Sequence, residues 1–205
     1  MPLPDPVVFQ QICNDHKLYS LYLYGSRVYG TDTPTSDYDF IGVGDHDEQT
    51  TGIYDITIYS KPTFAKLLGE HEISVLECAS QKPLAGVDFT MPQINLAVLR
   101  ASISRKSSNS YVKAKKKYLA GPDHNPLVGL KSFFHAFRIV DFGIQIAITG
   151  QIQDFSRHNF FWRILSQRKP RDWTWDDLDT CFRQDYNTLC SEFVRVAPKA
   201  PREKK

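Results

Sequence analysis

The stretch Leu23-Tyr24-Gly25-Ser26-Arg27, followed after a loop by Ser36-Asp37-Tyr38-Asp39-Phe40-Ile41, decides how this chain is read. An apolar run ends in a Gly-Ser turn, and a second apolar run opens on two aspartates at i and i+2. Side chains on a strand alternate between faces, so a strand over 37–43 points Asp37 and Asp39 the same way, about 6.6 Å apart along the backbone. Two like charges so placed repel, and a divalent cation turns that repulsion into attraction. Mg²⁺ favours a few carboxylates plus substrate phosphate oxygens, which makes the pair a candidate phosphotransfer site. An isolated Asp-x-Asp fits a solvated strand edge better, and it is the Gly-Ser turn upstream that weighs against that reading here.

Working outward, Pro6 and the helical spacing of Val8, Phe9, Ile12 and Cys13 predict a helix over 7–16. Residues 17–24 favour a strand with Leu21 and Leu23 on one face and Tyr22 and Tyr24 on the other. Gly25 permits a sharp turn and close approach of a ligand, and Ser26 is expected to cap a short helical turn over 27–30. After the loop 31–36 and the strand 37–43 comes an acidic connection, 44–52, then a strand over 53–60 in which Asp55 shares a face with Ile53, Thr57 and Tyr59. A helix from Pro62 to about Leu68 follows, and Ile73 to Cys78 is apolar but ambiguous.

Composition is that of an ordinary folded protein, but its charge is divided. Residues 1–90 carry a net −8 and residues 91–205 a net +10. An acidic front suits cation binding, and a basic back suits phosphate or nucleic acid. The sequence has no apolar run of the roughly 20 residues that span a bilayer and no signal-peptide pattern at its start, which makes the cytoplasm the expected address. Cys13, Cys78, Cys181 and Cys190 lack metal-ligand spacing and read as reduced, buried thiols.

The run Tyr24-Gly25-Ser26, ten residues, Asp37-Tyr38-Asp39-Phe40 resembles the signature of the DNA polymerase β-like nucleotidyltransferase superfamily, and with Arg27, Gly30 and Ser36 is closest to its bacterial and phage predicted nucleotidyltransferase branch. The resemblance covers residues 20–60. It implies a small mixed-sheet nucleotidyltransferase domain over 1–90; with the helical spacing beyond it read as an all-α domain over 91–197 and the basic tail at 198–205 read as disordered, the chain is expected to be α+β. It also implies Asp37, Asp39 and Asp55 as catalytic metal ligands for Mg²⁺ or Mn²⁺, as two ions, with Asp55 the base toward an acceptor hydroxyl. Asp45, Asp47 and Glu48 are rivals for the third position, expected to be solvated. Gly25 and Ser26 would cradle the triphosphate of an NTP such as ATP, with Arg27 and Ser36 beside them; Arg27 also fits a surface arginine.

Beyond residue 90, helical spacing frames a Ser-rich middle, Ser102 to Ser110, expected to interrupt the helix over 93–119. Asn125-Pro126 and Gly150 bound a long helix, a further helix is expected over 154–168, and Thr174 with Asp177 forms a capping box opening the last one. On the long helix Lys131, His135 and Arg138 form a polar stripe opposite Phe133, Phe137, Val140 and Ile144. That stripe either closes over nucleotide phosphates or is a solvated face. Arg105, Lys106, Lys113, Lys115, Lys116 and Lys117 belong to a one-signed basic run interleaved with Tyr111 and Tyr118, which suits a nucleic-acid acceptor. A protein acceptor for AMP transfer stays open, as does a non-catalytic nucleotide-sensing or RNA-binding protein on the same fold. Trp162, Trp173 and Trp175 are expected to pack.

Overall fold

A computed structural model describes residues 5–52 and 54–199. Two units emerge: one from residues up to Gln93 together with Gln151–Ser156, the other from Ile94–Gly150 and the residues from Arg157 onward.

In the first unit, α1 (Pro6–Asp15) is capped by the Asp5 carboxylate, which accepts from the Val7 amide at 2.9 Å. Five strands follow among the described residues: β1 (Ser20–Tyr24), β2 (Tyr38–Gly44), β3 (Glu48–Thr50), β4 (Tyr54–Ser60) and β5 (Ala85–Gly86). They form a mixed sheet ordered β3-β4-β2-β1-β5. β2 and β4 run parallel, and the other pairings are antiparallel. The alternation read from the sequence sorts the core into two layers. Leu21, Leu23, Phe40, Ile56 and Ile58 pack with Phe9, Ile12 and Cys13 of α1 on one face. Tyr22, Ile41 and Val43 pack on the other against Phe64 of α3 (Lys61–Gly69) and Val75 and Cys78 of α4 (Ile73–Ala79). The ambiguous apolar segment 73–78 is thus a helix, because the sheet face leaves an apolar surface that a helix stripe covers.

One expectation changes here. The acidic connection contains β3, which pairs with β4; the rival acids are exposed, as expected, and each has a partner. Asp47 accepts from the Ser60 amide at 2.6 Å and the Thr63 hydroxyl at 2.9 Å, bonds that hold its carboxyl below the usual range. Asp45 accepts from Tyr19, and Glu48 pairs with His46 at 3.2 Å. The predicted strand over 53–60 is β4 as far as it is described, Tyr54–Ser60; Ile53 lies outside the described residues.

The second unit is built from α5 (Leu96–Tyr118), α6 (Pro126–Thr149), α7 (Asn159–Leu165) and α8 (Trp175–Val196). The Ser-rich middle does not break α5. Its serines are small enough to let α6 come close, and Ser107 Oγ donates to the Ala136 carbonyl at 2.8 Å. Gly143 serves the same purpose on α6, since a Cβ there would stand 2.8 Å from Ile103 and 2.9 Å from Phe193. Asn125 and left-handed Gly150 bound α6 as predicted, and Thr174 with Asp177 forms a capping box on α8. The helix expected over 154–168 is only α7. Trp173 and Trp175 are buried and Trp162 half-buried in an aromatic core with Phe133, Phe137 and Phe161. All four cysteines are free thiols, but Cys181 is exposed and Cys190 half-buried rather than buried. The expected tail is described only as far as Lys199. Among the described residues no helix is long and apolar enough to cross a membrane.

Candidate active site

The parallel register of β2 and β4 sets Asp39 directly opposite Asp55, on strands about 4.8 Å apart. Both carboxylates are half-buried, on the face that also carries Ile41, Val43 and Tyr59. On the other flank of β2, Tyr24 of β1 pairs with Asp39, which brings the Gly25 turn to the same sheet end. Gly25 has φ +77° and ψ −155°, a conformation that L side chains rarely adopt. A Cβ on it would stand 2.3 Å from Asp39 Oδ2. The turn and the aspartate are therefore fitted to one another, and only glycine leaves the space between them open.

Ser26 is the first residue of the short helix α2 (Ser26–Tyr29), with Gly25 in the capping position and no side-chain cap. The expectation that Ser26 caps this turn is corrected: the chain becomes helical one residue earlier because Gly25 takes the non-helical conformation itself. Ser26 is half-buried, and its carbonyl accepts from the Gly30 and Thr31 amides.

Asp37 stands one residue ahead of β2, and its side chain is exposed. Strand alternation therefore does not set its direction. Its backbone is held from the side instead, by Arg27 Nε donating to the Asp37 carbonyl at 3.1 Å and Nη2 donating to the Ser36 carbonyl. Arg27 is not the surface arginine the sequence allows, because its side chain is only 5 % exposed. Ser36 Oγ accepts from the Thr33 amide at 2.8 Å and closes the loop turn.

Among the described residues no group of three or more His, Cys, Asp or Glu is gathered closely enough to form a metal cage. Mg²⁺ is typically held by one or two carboxylates together with substrate phosphates rather than by such a cage. The opposed Asp39 and Asp55, with Asp37 two residues away and the open Gly25 turn beside them, fit that donor set.

The remaining predicted residues lie in the helical unit. Lys131 is exposed, but Arg138 is buried and donates Nη2–H to His135 Nδ1 at 2.6 Å. The polar stripe opposite an apolar face is thus corrected: α6 is buried on nearly all sides from Ser132 to Ile146, Arg138, Asp141 and Gln145 included, with His135 half-buried. Burial first, then the charges of Arg138, Lys106 and Lys113, push His135 well below its ordinary protonation range, so the ring is neutral and accepts from Arg138. On α5, Arg105, Lys113, Lys115 and Lys116 are exposed, while Lys106 and Lys117 are half-buried and Lys117 pairs with Asp123 at 3.8 Å. The interleaved tyrosines turn inward, Tyr118 donating to the Pro170 carbonyl and Tyr111 to Asp179. Sequence reasoning missed the extension of the α6 polar row to Asp141 and Gln145, although their helical spacing from Arg138 was there to be read.

Residues 8–92 match the family model for the nucleotidyltransferase domain, about two fifths of the chain. No curated protein matches the chain. The match spans the sheet unit from α1 through β5, including the Gly25 turn and all three aspartates. Residues 8–92 thus match a nucleotidyltransferase domain, which is consistent with the DNA polymerase β-like superfamily whose Gly-Ser and Asp-x-Asp signature this stretch resembles.

Proposed function

We propose that this protein transfers a nucleoside monophosphate from an NTP to an acceptor hydroxyl and releases pyrophosphate. The observation that carries the reading is the pairing of Asp39 with Asp55 on adjacent parallel strands, beside a glycine turn whose open side faces Asp39. In this reading Asp37, Asp39 and Asp55 hold Mg²⁺ or Mn²⁺. When bound, such ions neutralise charge on the triphosphate and on the attacking and leaving oxygens. The Gly25 backbone and Ser26 receive the triphosphate, with no Cβ to keep it at a distance. Asp55 accepts the proton of the acceptor hydroxyl, whose oxygen bonds to the α-phosphorus as the bond to pyrophosphate breaks.

The acceptor in this reading is the end of a nucleic acid. Support comes from α5, where Arg105, Lys113, Lys115 and Lys116 offer exposed cations to a phosphate backbone. Buried Tyr118 and half-buried Tyr111 leave that surface to charge rather than to base stacking.

The test incubates the protein with each α-labelled NTP and Mg²⁺ or Mn²⁺, with RNA, DNA or cell extract as acceptor, and follows the label. Label is expected on nucleic acid with release of pyrophosphate; label on protein instead would replace the acceptor and keep the reaction. Asp37→Asn and Asp55→Asn should each lower turnover by at least about 10³-fold, or about 4 kcal/mol in the barrier. Full Mg²⁺-dependent activity in either variant would sink the assignment.

A further inference from the structure

We infer that Arg27 is a positioning residue that clamps Asp37, and not itself a phosphate ligand; the inference rests on the reading of Asp37 given above. An arginine two residues after the Gly25 turn, next to a triphosphate site, is on chemical grounds a candidate phosphate binder. Its contacts assign it otherwise. Nε and Nη2 bond the carbonyls of Asp37 and Ser36, Nη1 pairs with Asp32 at 3.2 Å, and the guanidinium lies 3.8 Å from the centre of the Tyr38 ring. All of these partners fall within residues 32–38, the loop between α2 and β2 and the first residue of β2.

That segment needs such a clamp. The ladder between β2 and β4 begins at Tyr38, so sheet hydrogen bonding does not hold Asp37. The Thr33–Ser36 turn closes the near part of the loop, through Ser36 N–H to the Thr33 carbonyl at 2.9 Å and Thr33 N–H to Ser36 Oγ at 2.8 Å. It leaves the Ser36 and Asp37 carbonyls available, and the planar fork of Arg27 takes both. Arg27 sits in α2, whose start is set by Gly25. One side chain thus ties the two halves of the signature together, so that the Gly-Ser turn and Asp37 hold a fixed relation. Lysine cannot do the same, because a point charge with three divergent donors does not span two carbonyls and a carboxylate in one plane.

The test compares Arg27→Lys and Asp32→Asn with the wild-type full chain, using three readouts. Hydrogen exchange over residues 32–38 and Mn²⁺ affinity are measured without nucleotide, and steady-state kinetics with the NTP that the wild type uses best. Arg27→Lys is expected to speed exchange over 32–38 while β1 and β4 stay protected, and to weaken Mn²⁺ binding about tenfold, the usual scale for losing an outer-shell partner. Turnover should fall at least about tenfold with KM for the NTP within about threefold. Asp32→Asn keeps both carbonyl bonds and should change turnover less than about threefold.

Unchanged exchange and Mn²⁺ affinity with a raised KM would overturn the inference and make Arg27 a phosphate ligand. A general loss of protection across the sheet would overturn it too, by reducing Arg27 to a stability residue. Should Arg27→Lys fail to fold, Arg27→Gln is read by the same criteria. If the wild type transfers no nucleotide, the reading of the reaction fails, and the clamp is then judged on exchange and Mn²⁺ affinity alone.

Discussion

Asp55 in the sheet unit and Asp141 in the helical unit are both aspartates inside regular elements, yet their surroundings differ. Asp55 is half-buried on β4 opposite Asp39, beside a turn that is kept open. Asp141 is 1 % exposed on α6, takes a hydrogen bond from Gln145 Nε2 at 2.8 Å and pairs with Arg157 Nε at 3.3 Å. A carboxylate at the end of a strand keeps oxygens available for a cation, whereas one sheathed in donors has its charge already answered by the protein. In the proposed reaction the first arrangement serves chemistry, whereas the second ties α6 to the turn that follows it.

Substitution separates the two. Asp141→Ala leaves its donors facing an apolar interior and should cost about 2–4 kcal/mol, read by urea unfolding; half of the Arg157 side chain is exposed, which keeps the loss below that of a fully buried pair. Asp37→Asn and Asp55→Asn should stay within about 0.5 kcal/mol of wild type while losing turnover. A stable Asp141→Ala, or an unfolded Asp55→Asn, would erase the distinction.

Gly25→Ala probes the sheet side more finely. The new Cβ meets Asp39 Oδ2 and the backbone keeps a positive φ, so a cost of about 1–3 kcal/mol in thermal melting is expected, with activity lost as the carboxylate is displaced. A neutral, active Gly25→Ala would show that the turn and Asp39 are not fitted to one another.

The smallest effect belongs to His135. Its protonation is depressed in the folded chain from an ordinary value of 6.5, mainly by burial. Above that value both folded and unfolded states hold a neutral ring and nothing is lost. Below it the unfolded chain takes up a proton that the folded chain refuses, so stability falls as pH drops from about 6.5 toward the lowered folded value. His135→Gln should flatten this acid limb in unfolding curves taken from pH 7 to about pH 5. An unchanged slope would mean that folding does not depress the protonation of this ring.

The elements legible in the sequence were those set by local chemistry. Asn125, Pro126 and Gly150 bound α6, Thr174 and Asp177 open α8, and the alternation of Leu21, Tyr22, Leu23 and Tyr24 assigns both sheet faces. These signals act within a few residues, through caps, a left-handed glycine and strand period. β3 was illegible because Glu48-Gln49-Thr50 has no apolar face of its own and is a strand only through pairing with β4. The serines of α5 were misleading for a related reason, since their merit is to let α6 approach.

The same division runs through the site. By itself the sequence determined the residue types, Gly25, Asp37, Asp39 and Asp55, and their likeness to a nucleotidyltransferase signature, because spacing along one strand or turn is a local quantity. Only the tertiary structure decided that Asp55 meets Asp39, that Gly25 must lack a side chain to make room for that carboxylate, and that Arg27 and Arg138 face inward. Register between strands and the burial of a charge depend on partners far away in the chain, and no window of sequence contains them.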